Sequence, residues 1–318
     1  MRRHLLLFIV FLALIAASCG SDQSTALDVT TKGGDNPRIA ATGASAKLSQ
    51  GSALVLAAAE TTSAVDDVHI SMTGEVGGLP DFDGQVVSFA MEAAVSGDGS
   101  RGQLVLDFGD LVETASPEDP GALGAVAGVF SEPIEVRFAD DAVYVSSAFI
   151  AWLFPVDTPW VAFSAESDAQ IGEIGLTTET LSVAELMMVL RGMEAEPEVV
   201  GTEVINGVDT THVRGRFSAA KLAELGGDFD LGGFDFGDFD PTGLGGIELE
   251  ELDVDVWIGE DELVRRLRFG LDELSGLHPT AAADAFFAFT IDLNDIGVPV
   301  TVDIPPASEV TFLDDLFG

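Results

Sequence analysis

The chain has one cysteine, Cys19, and its position gives that thiol a particular use. Arg2-Arg3-His4 open the chain, Leu5 to Ile15 form an apolar run, and Ala16-Ala17-Ser18 lead into the cysteine. A charged start, a short apolar stretch and small residues before a cleavage point make a secretory signal over residues 1–18. The run is too short to span a bilayer, which takes roughly 20 residues. A thiol left at the new N-terminus can be acylated. Each buried methylene of an acyl chain then adds about 0.8 kcal/mol of membrane affinity. With no second cysteine, an internal disulfide is excluded, so the core holds together by burial.

The remaining chemistry is sparse. Beyond His4 the histidines are His69, His212 and His278. The first two fall on alternating, strand-like stretches and the third precedes Pro279. No G-x-S-x-G, H-E-x-x-H or glycine-rich phosphate loop occurs. The chain is therefore not expected to be an enzyme, and no cofactor or metal is expected. Asp228, Asp230, Asp235, Asp238 and Asp240 alternate with Phe and Gly in a low-complexity stretch. Carboxylates are hard ligands suited to Ca²⁺, but this spacing fits neither an EF-hand loop nor a nonapeptide repeat. The stretch reads as a solvated acidic insertion over residues 227–246, whose phenylalanines could touch a partner or a lipid surface. Arg265, Arg266 and Arg268 form a local basic cluster expected to pair with neighbouring carboxylates. An anionic lipid head group is the alternative.

Charge narrows the partners. The chain carries 54 acidic against 14 basic residues, a formal net charge of −40. Arg2 and Arg3 fall in the leader, so the processed chain is more acidic still. Such a polyanion repels nucleic acid, and no nucleic-acid partner is expected. It also repels an anionic leaflet. Membrane residence then requires the lipid anchor rather than a basic surface. Hydrophobic residues nevertheless make up 47% of the chain, with 21 Phe, so it is not disordered overall.

Those positions need elements to hold them. Residues 19–49 are rich in Gly, Ser, Thr, Ala and Asp and read as a flexible tether, spanning roughly 30 Å as a random coil. Ser52 to Ala64 reads as a helix, with Leu54, Ala57, Ala58 and Thr61 on one face. Strands follow. Ile70 and Met72, Phe89 and Met91, and Leu104 and Leu106 recur with a period of two, as a sheet with one covered face requires. Further strands are expected at 134–138, 143–145, 160–165, 199–205, 208–217, 252–258, 263–271, 286–293 and 298–304. Asn206-Gly207 is the strongest hairpin signal. Ser182 to Met193 reads as a helix behind an S-x-x-E capping box, with Val183, Leu186, Met187 and Leu190 on one side. Ser218 is expected to cap a short helix to Leu225. The runs of hairpins predict an α+β fold with an antiparallel sheet of about ten strands.

Two stretches go further. Val204-Ile205-Asn206-Gly207-Val208-Asp209-Thr210-Thr211-His212-Val213-Arg214-Gly215 is similar to a hairpin of actinobacterial cell-envelope lipoproteins of the LppX, LprA, LprF and LprG type. Val256-Trp257-Ile258-Gly259 with Leu263-Val264-Arg265-Arg266-Leu267-Arg268-Phe269 resembles their next hairpin. Ala16-Ala17-Ser18-Cys19 resembles a lipobox, with Ala16 where Leu is usual. The resemblance covers roughly residues 50 to 310 and implies a LolA/LolB-like fold, a strongly curved half-barrel sheet with helices on its concave face. It also implies an exported protein, lipid-anchored at Cys19 to the outer face of the cell membrane. Its 50–318 domain would bind lipids or glycolipids in a hydrophobic cavity, with transfer as the further step. The acidity and the 227–246 insertion depart from that family.

The candidate lipid-cavity lining is Ile70, Met72, Phe89, Met91, Leu104, Leu106, Leu186, Met187, Leu190, Phe287 and Phe289, with Phe149, Trp152 and Phe154 beside an entrance. Methionine suits surfaces that adapt to a ligand. The same residues could form a solid core. The alternative is therefore a non-carrier lipoprotein with a filled interior, acting as an interaction or scaffolding module for an envelope protein.

Overall fold

A computed structural model describes residues 49–78, 85–97, 100–109, 132–139, 142–146, 148, 156–164, 183–191, 193, 197–218, 251–272 and 285–313. Cys19 with the leader and tether expected around it, Phe149, Trp152, Phe154, the cap expected at Ser182, the helix expected at 219–225, the insertion expected at 227–246 and His278 lie outside these residues.

Helix α1 (Gln50–Ser63) begins at Ser49, whose side chain accepts from the Ser52 N–H at 3.1 Å. Its buried face is Gly51, Val55, Ala58, Ala59 and Thr62. This face is turned by one residue from the expected Leu54, Ala57, Ala58 and Thr61. An Ala-rich helix is apolar nearly all round, so the small residues decide: Gly51 packs so closely on Pro197 that no Cβ fits there.

The strands are β1 (Asp67–Gly77), β2 (Val87–Ser96), β3 (Gly102–Asp107), β4 (Ile134–Ala139), β5 (Ala142–Ser146), β6 (Trp160–Ser164), β7 (Glu198–Ile205), β8 (Val208–Ser218), β9 (Glu251–Gly259), β10 (Val264–Asp272), β11 (Phe286–Asn294) and β12 (Val310–Phe312). Helix α2 (Val183–Arg191) lies between β6 and β7. All twelve strands form one sheet in the order β12-β6-β5-β4-β3-β2-β1-β11-β10-β9-β8-β7. It consists of two meanders, β1–β6 and β7–β11, joined where β11 pairs with β1 in antiparallel register, Met72 opposite Ile291.

Two expectations change. Among the described residues the sheet has twelve strands rather than about ten, and β12 pairs parallel with β6, Val310 opposite Trp160. The strand expected at 298–304 is absent. Pro299 lacks the N–H a ladder needs and Pro305-Pro306 follows. The segment is pinned instead by Gly297 and Val300, whose N–H groups donate to the backbone oxygen and Oδ2 of Asp67.

The sheet curls at one corner. Asn206 and Gly207, with φ of 49° and 82°, make the tight turn between β7 and β8. Asn206 Nδ2 donates to Asn294 Oδ1 at 2.8 Å. On a flat sheet β8 and β11 would stand about 14 Å apart, three strand spacings, so the hairpin tip must bend over to make this contact.

One apolar core joins the sheet and both helices. Val55, Ala58 and Ala59 of α1 and Leu186, Met187 and Leu190 of α2 meet Ile70, Met72, Met91, Val213, Val256, Leu267 and Ile291. Both helices therefore contribute to the apolar core on this face, with α1 lying beside α2 and against β7, β9 and β10. Thr62 at the end of α1 accepts the Val264 N–H at 2.9 Å, which fixes the helix to β10. No helix among the described residues is long and apolar enough to cross a membrane.

Candidate functional site

Strand directions give the sheet two unlike ends. At one end the connections are tight: 97–101, 140–141, 206–207 and 260–263. At the other end the chain leaves for longer stretches, at 78–86, 108–133, 147–159, 219–250 and 273–285. The apolar layer differs between these ends. Ile70, Met72, Met91, Leu186, Met187, Leu190 and Phe289 are buried, none more than 6% exposed. Phe89, Leu104, Leu106 and Phe287 belong to the same layer but are only partly buried. All the described lining candidates thus share one face.

The partly buried members gather toward the long-connection end. Phe89 stands near the start of β2, Leu106 near the end of β3 and Phe287 near the start of β11. Ile134, Leu252 and Phe269 are partly buried in the same layer and at the same end, and sequence reasoning missed them. The signal that finds them is strand direction combined with period-two alternation, because each is an inward residue near a long connection.

Aromatic packing shapes this end. Phe89 lies 6.3 Å by ring centroid from both Phe108 and Phe289. Gly74, opposite Phe89 on one side and Phe289 on the other, leaves room for the Phe89 ring, which lies where a Cβ would stand. Glycine weakens a strand interior, and an aromatic from the neighbouring strand covers the gap.

The opposite face carries charge. His212 sits between two carboxylates, Nδ1 2.9 Å from Glu203 Oε1 and Nε2 2.7 Å from Asp255 Oδ1. Both nitrogens donate together only when the ring is doubly protonated. Trp257 stacks on the imidazole at 4.3 Å and donates from Nε1 to Glu203 Oε2 at 3.0 Å. Asp255 also accepts from Arg214 Nε at 2.7 Å. These bonds tie β7, β8 and β9 together. Arg266 binds Asp292 through two nitrogens, at 2.5 and 2.7 Å. That hydrogen bond raises the already high pKa of the guanidinium, against the opposing effect of burial.

The three arginines pair with carboxylates as the sequence predicts: Arg265 with Asp261, Arg266 with Asp292, and Arg268 with Asp255 at 3.8 Å. A register shift between Val264 and Arg266 accommodates Arg265 as an extra residue. No cluster of metal-ligating side chains occurs among the described residues.

A cleft of about 650 Å³ opens at the tight-turn end, under the β7–β8 turn. Its lining includes His69, Ser71, Glu92, Asn206, Arg265 and Asn294. It is polar and stands apart from the partly buried phenylalanines.

No protein-family profile matches the chain, and no curated protein does. Among solved structures it is similar to LprF from Mycobacterium bovis, with 15% identity, TM-score 0.48, 81% of this chain and 98% of that one covered. It is similar to the Mycobacterium tuberculosis lipoprotein LppX, with 17% identity, TM-score 0.42, 80% of this chain and 98% of that one covered. A LolA superfamily protein from Nitrosomonas europaea has 8% identity and TM-score 0.22, with 80% of this chain and 94% of that one covered. LprF and LppX are two of the lipoproteins named in the sequence resemblance. At these scores and identities, nothing about ligand or partner is carried from them to this chain.

Proposed function

We propose that the chain is an exported lipoprotein, anchored through Cys19, that holds the acyl part of a lipid or glycolipid against its apolar layer. The observation that supports this most is the gathering of Phe89, Leu106, Ile134, Phe269 and Phe287, all incompletely buried, at one end of a face whose other apolar residues are mostly buried. Apolar surface left partly open at the rim of a core is where an acyl chain gains most from leaving water. The 19–49 tether lets that end work at a distance from the membrane, and the negative charge keeps the domain off an anionic surface. Transfer between membranes extends the same reading.

A photoactivatable diazirine fatty acid tests the site. Labelling should concentrate on peptides containing Phe89, Leu106 and Phe287 and be competed by unlabelled oleate. Labelling spread evenly over the surface counts against it.

A second reading is a non-carrier that kept the fold and filled its interior. The near-complete burial of Met187, Leu190, Val213, Leu267 and Ile291 favours it for the helix-covered half. In that case the 227–246 insertion is the candidate contact for an envelope partner. Deleting it would abolish partner capture and leave lipid content unchanged.

A further inference from the structure

We propose that the cleft beneath the β7–β8 turn binds a neutral polyhydroxylated ligand, a sugar ring, independently of the apolar layer. At about 650 Å³ the cleft falls within the range of small-molecule sites, about 300–1,000 Å³. Its wall carries a hydrogen-bond chain that runs one way. Asn206 Nδ2 donates to Asn294 Oδ1 at 2.8 Å, Asn294 Nδ2 to Ser71 Oγ at 3.1 Å, and Ser71 Oγ to Glu92 Oε2 at 2.7 Å. Each member keeps capacity beyond this chain. Both amides have a second N–H, Asn206 has its carbonyl oxygen, and Glu92 has its other carboxylate oxygen. His69 lines the same cleft, and its ring makes no hydrogen bond among the described residues. Arg265 lines it too, with Nη2 committed to Asp261 and a buried Nε that has no partner among the described residues.

This combination selects the ligand's chemistry. The open groups include acceptors that carry negative charge, Glu92 and Asp295, and donors on Asn206, Asn294 and Arg265. A phosphate or carboxylate accepts from the donors but is repelled by Glu92 and Asp295. An ammonium ion suits the carboxylates and the Asn206 carbonyl oxygen but is repelled by Arg265 and offers nothing to the amide N–H groups. A hydroxyl does both, accepting from one neighbour and donating to the next. Planar amide and carboxylate groups also match a pair of adjacent hydroxyls. Ile205 and Val208 in the lining suit the C–H face of a sugar ring.

The test is saturation-transfer NMR on the full processed chain carrying Cys19→Ala, with three probes: maltose, glucose 6-phosphate, and octyl maltoside below its micelle concentration. Two variants, His69→Ala and Glu92→Gln, are compared after equal melting temperatures are confirmed. Saturable maltose binding, weakened about tenfold in either variant by loss of one hydrogen bond, supports a site for free or polymeric saccharide. Binding of octyl maltoside alone, weakened in the same way, supports a site for a lipid's sugar head group. Neither sugar binding, glucose 6-phosphate binding as tightly as maltose, or unchanged binding in both variants would overturn the proposal. The apolar layer is not touched by either substitution, so these outcomes are separate from those of the fatty-acid labelling.

Discussion

Phe89 and Phe289 face one another across Gly74, on the strand between theirs, with ring centroids 6.3 Å apart. The Phe89 ring occupies the space a side chain on residue 74 would fill. Gly74→Ala should therefore displace Phe89 and cost about 1–3 kcal/mol, the usual cost of overpacking. Urea unfolding reads the loss, and a midpoint equal to that of the parent chain would refute the packing account.

Asp255 is the hub of the charged face. Its side chain is only 4% exposed and meets both His212 and Arg214. Truncation leaves His212 buried without its Nε2 partner, so Asp255→Ala should destabilise by about 3–5 kcal/mol. Arg216 is exposed and 3.7 Å from Asp253, so Arg216→Ala should cost less than about 1 kcal/mol. Equal losses in the two variants, by thermal unfolding, would contradict this ranking.

Thr62 holds α1 to the sheet through one bond. It is fully buried and accepts from the Val264 N–H. Thr62→Val keeps the shape and removes the acceptor, leaving a buried N–H unpaired at about 1–3 kcal/mol. Amide exchange at Val264 should accelerate in the variant. Unchanged exchange would mean that the helix is held elsewhere.

Cys19 carries the anchoring proposal. Detergent-phase partitioning of the parent chain from an exporting bacterial host should place it with the membrane lipoproteins. Cys19→Ala should move it to the aqueous phase, with the acyl mass missing from its N-terminal peptide. A variant that stays in the detergent phase would remove the anchor from this account.

Much of this architecture was legible because strands with one buried face write their pattern in period two. Ile70 and Met72, Phe89 and Met91, and Asn206-Gly207 all stand where alternation and turn chemistry put them. The face of α1 was not legible, since Ala, Val and Leu surround that helix and only the close approach of Gly51 to Pro197 selects one side. Strand β12 escaped because three residues carry no period, while Val298 to Ile304 has an apolar composition that Pro299 keeps out of the ladder. The polar cleft was invisible for another reason. His69, Glu92, Asn206 and Asn294 lie far apart in sequence and read singly as strand or turn positions, and only the curl of the hairpin assembles them.

Native mass spectrometry of the Cys19→Ala chain, purified from a lipid-rich bacterial host, tests the lipid-holding claim most directly. Bound lipid at close to one per chain is expected. Leu106→Glu, at the open end, should empty it with little change in melting. Met187→Ala, in the sealed half, should cost about 2–5 kcal/mol of stability and retain the lipid. A chain that emerges lipid-free from every such preparation, and whose melting temperature added oleate does not raise, would contradict the account.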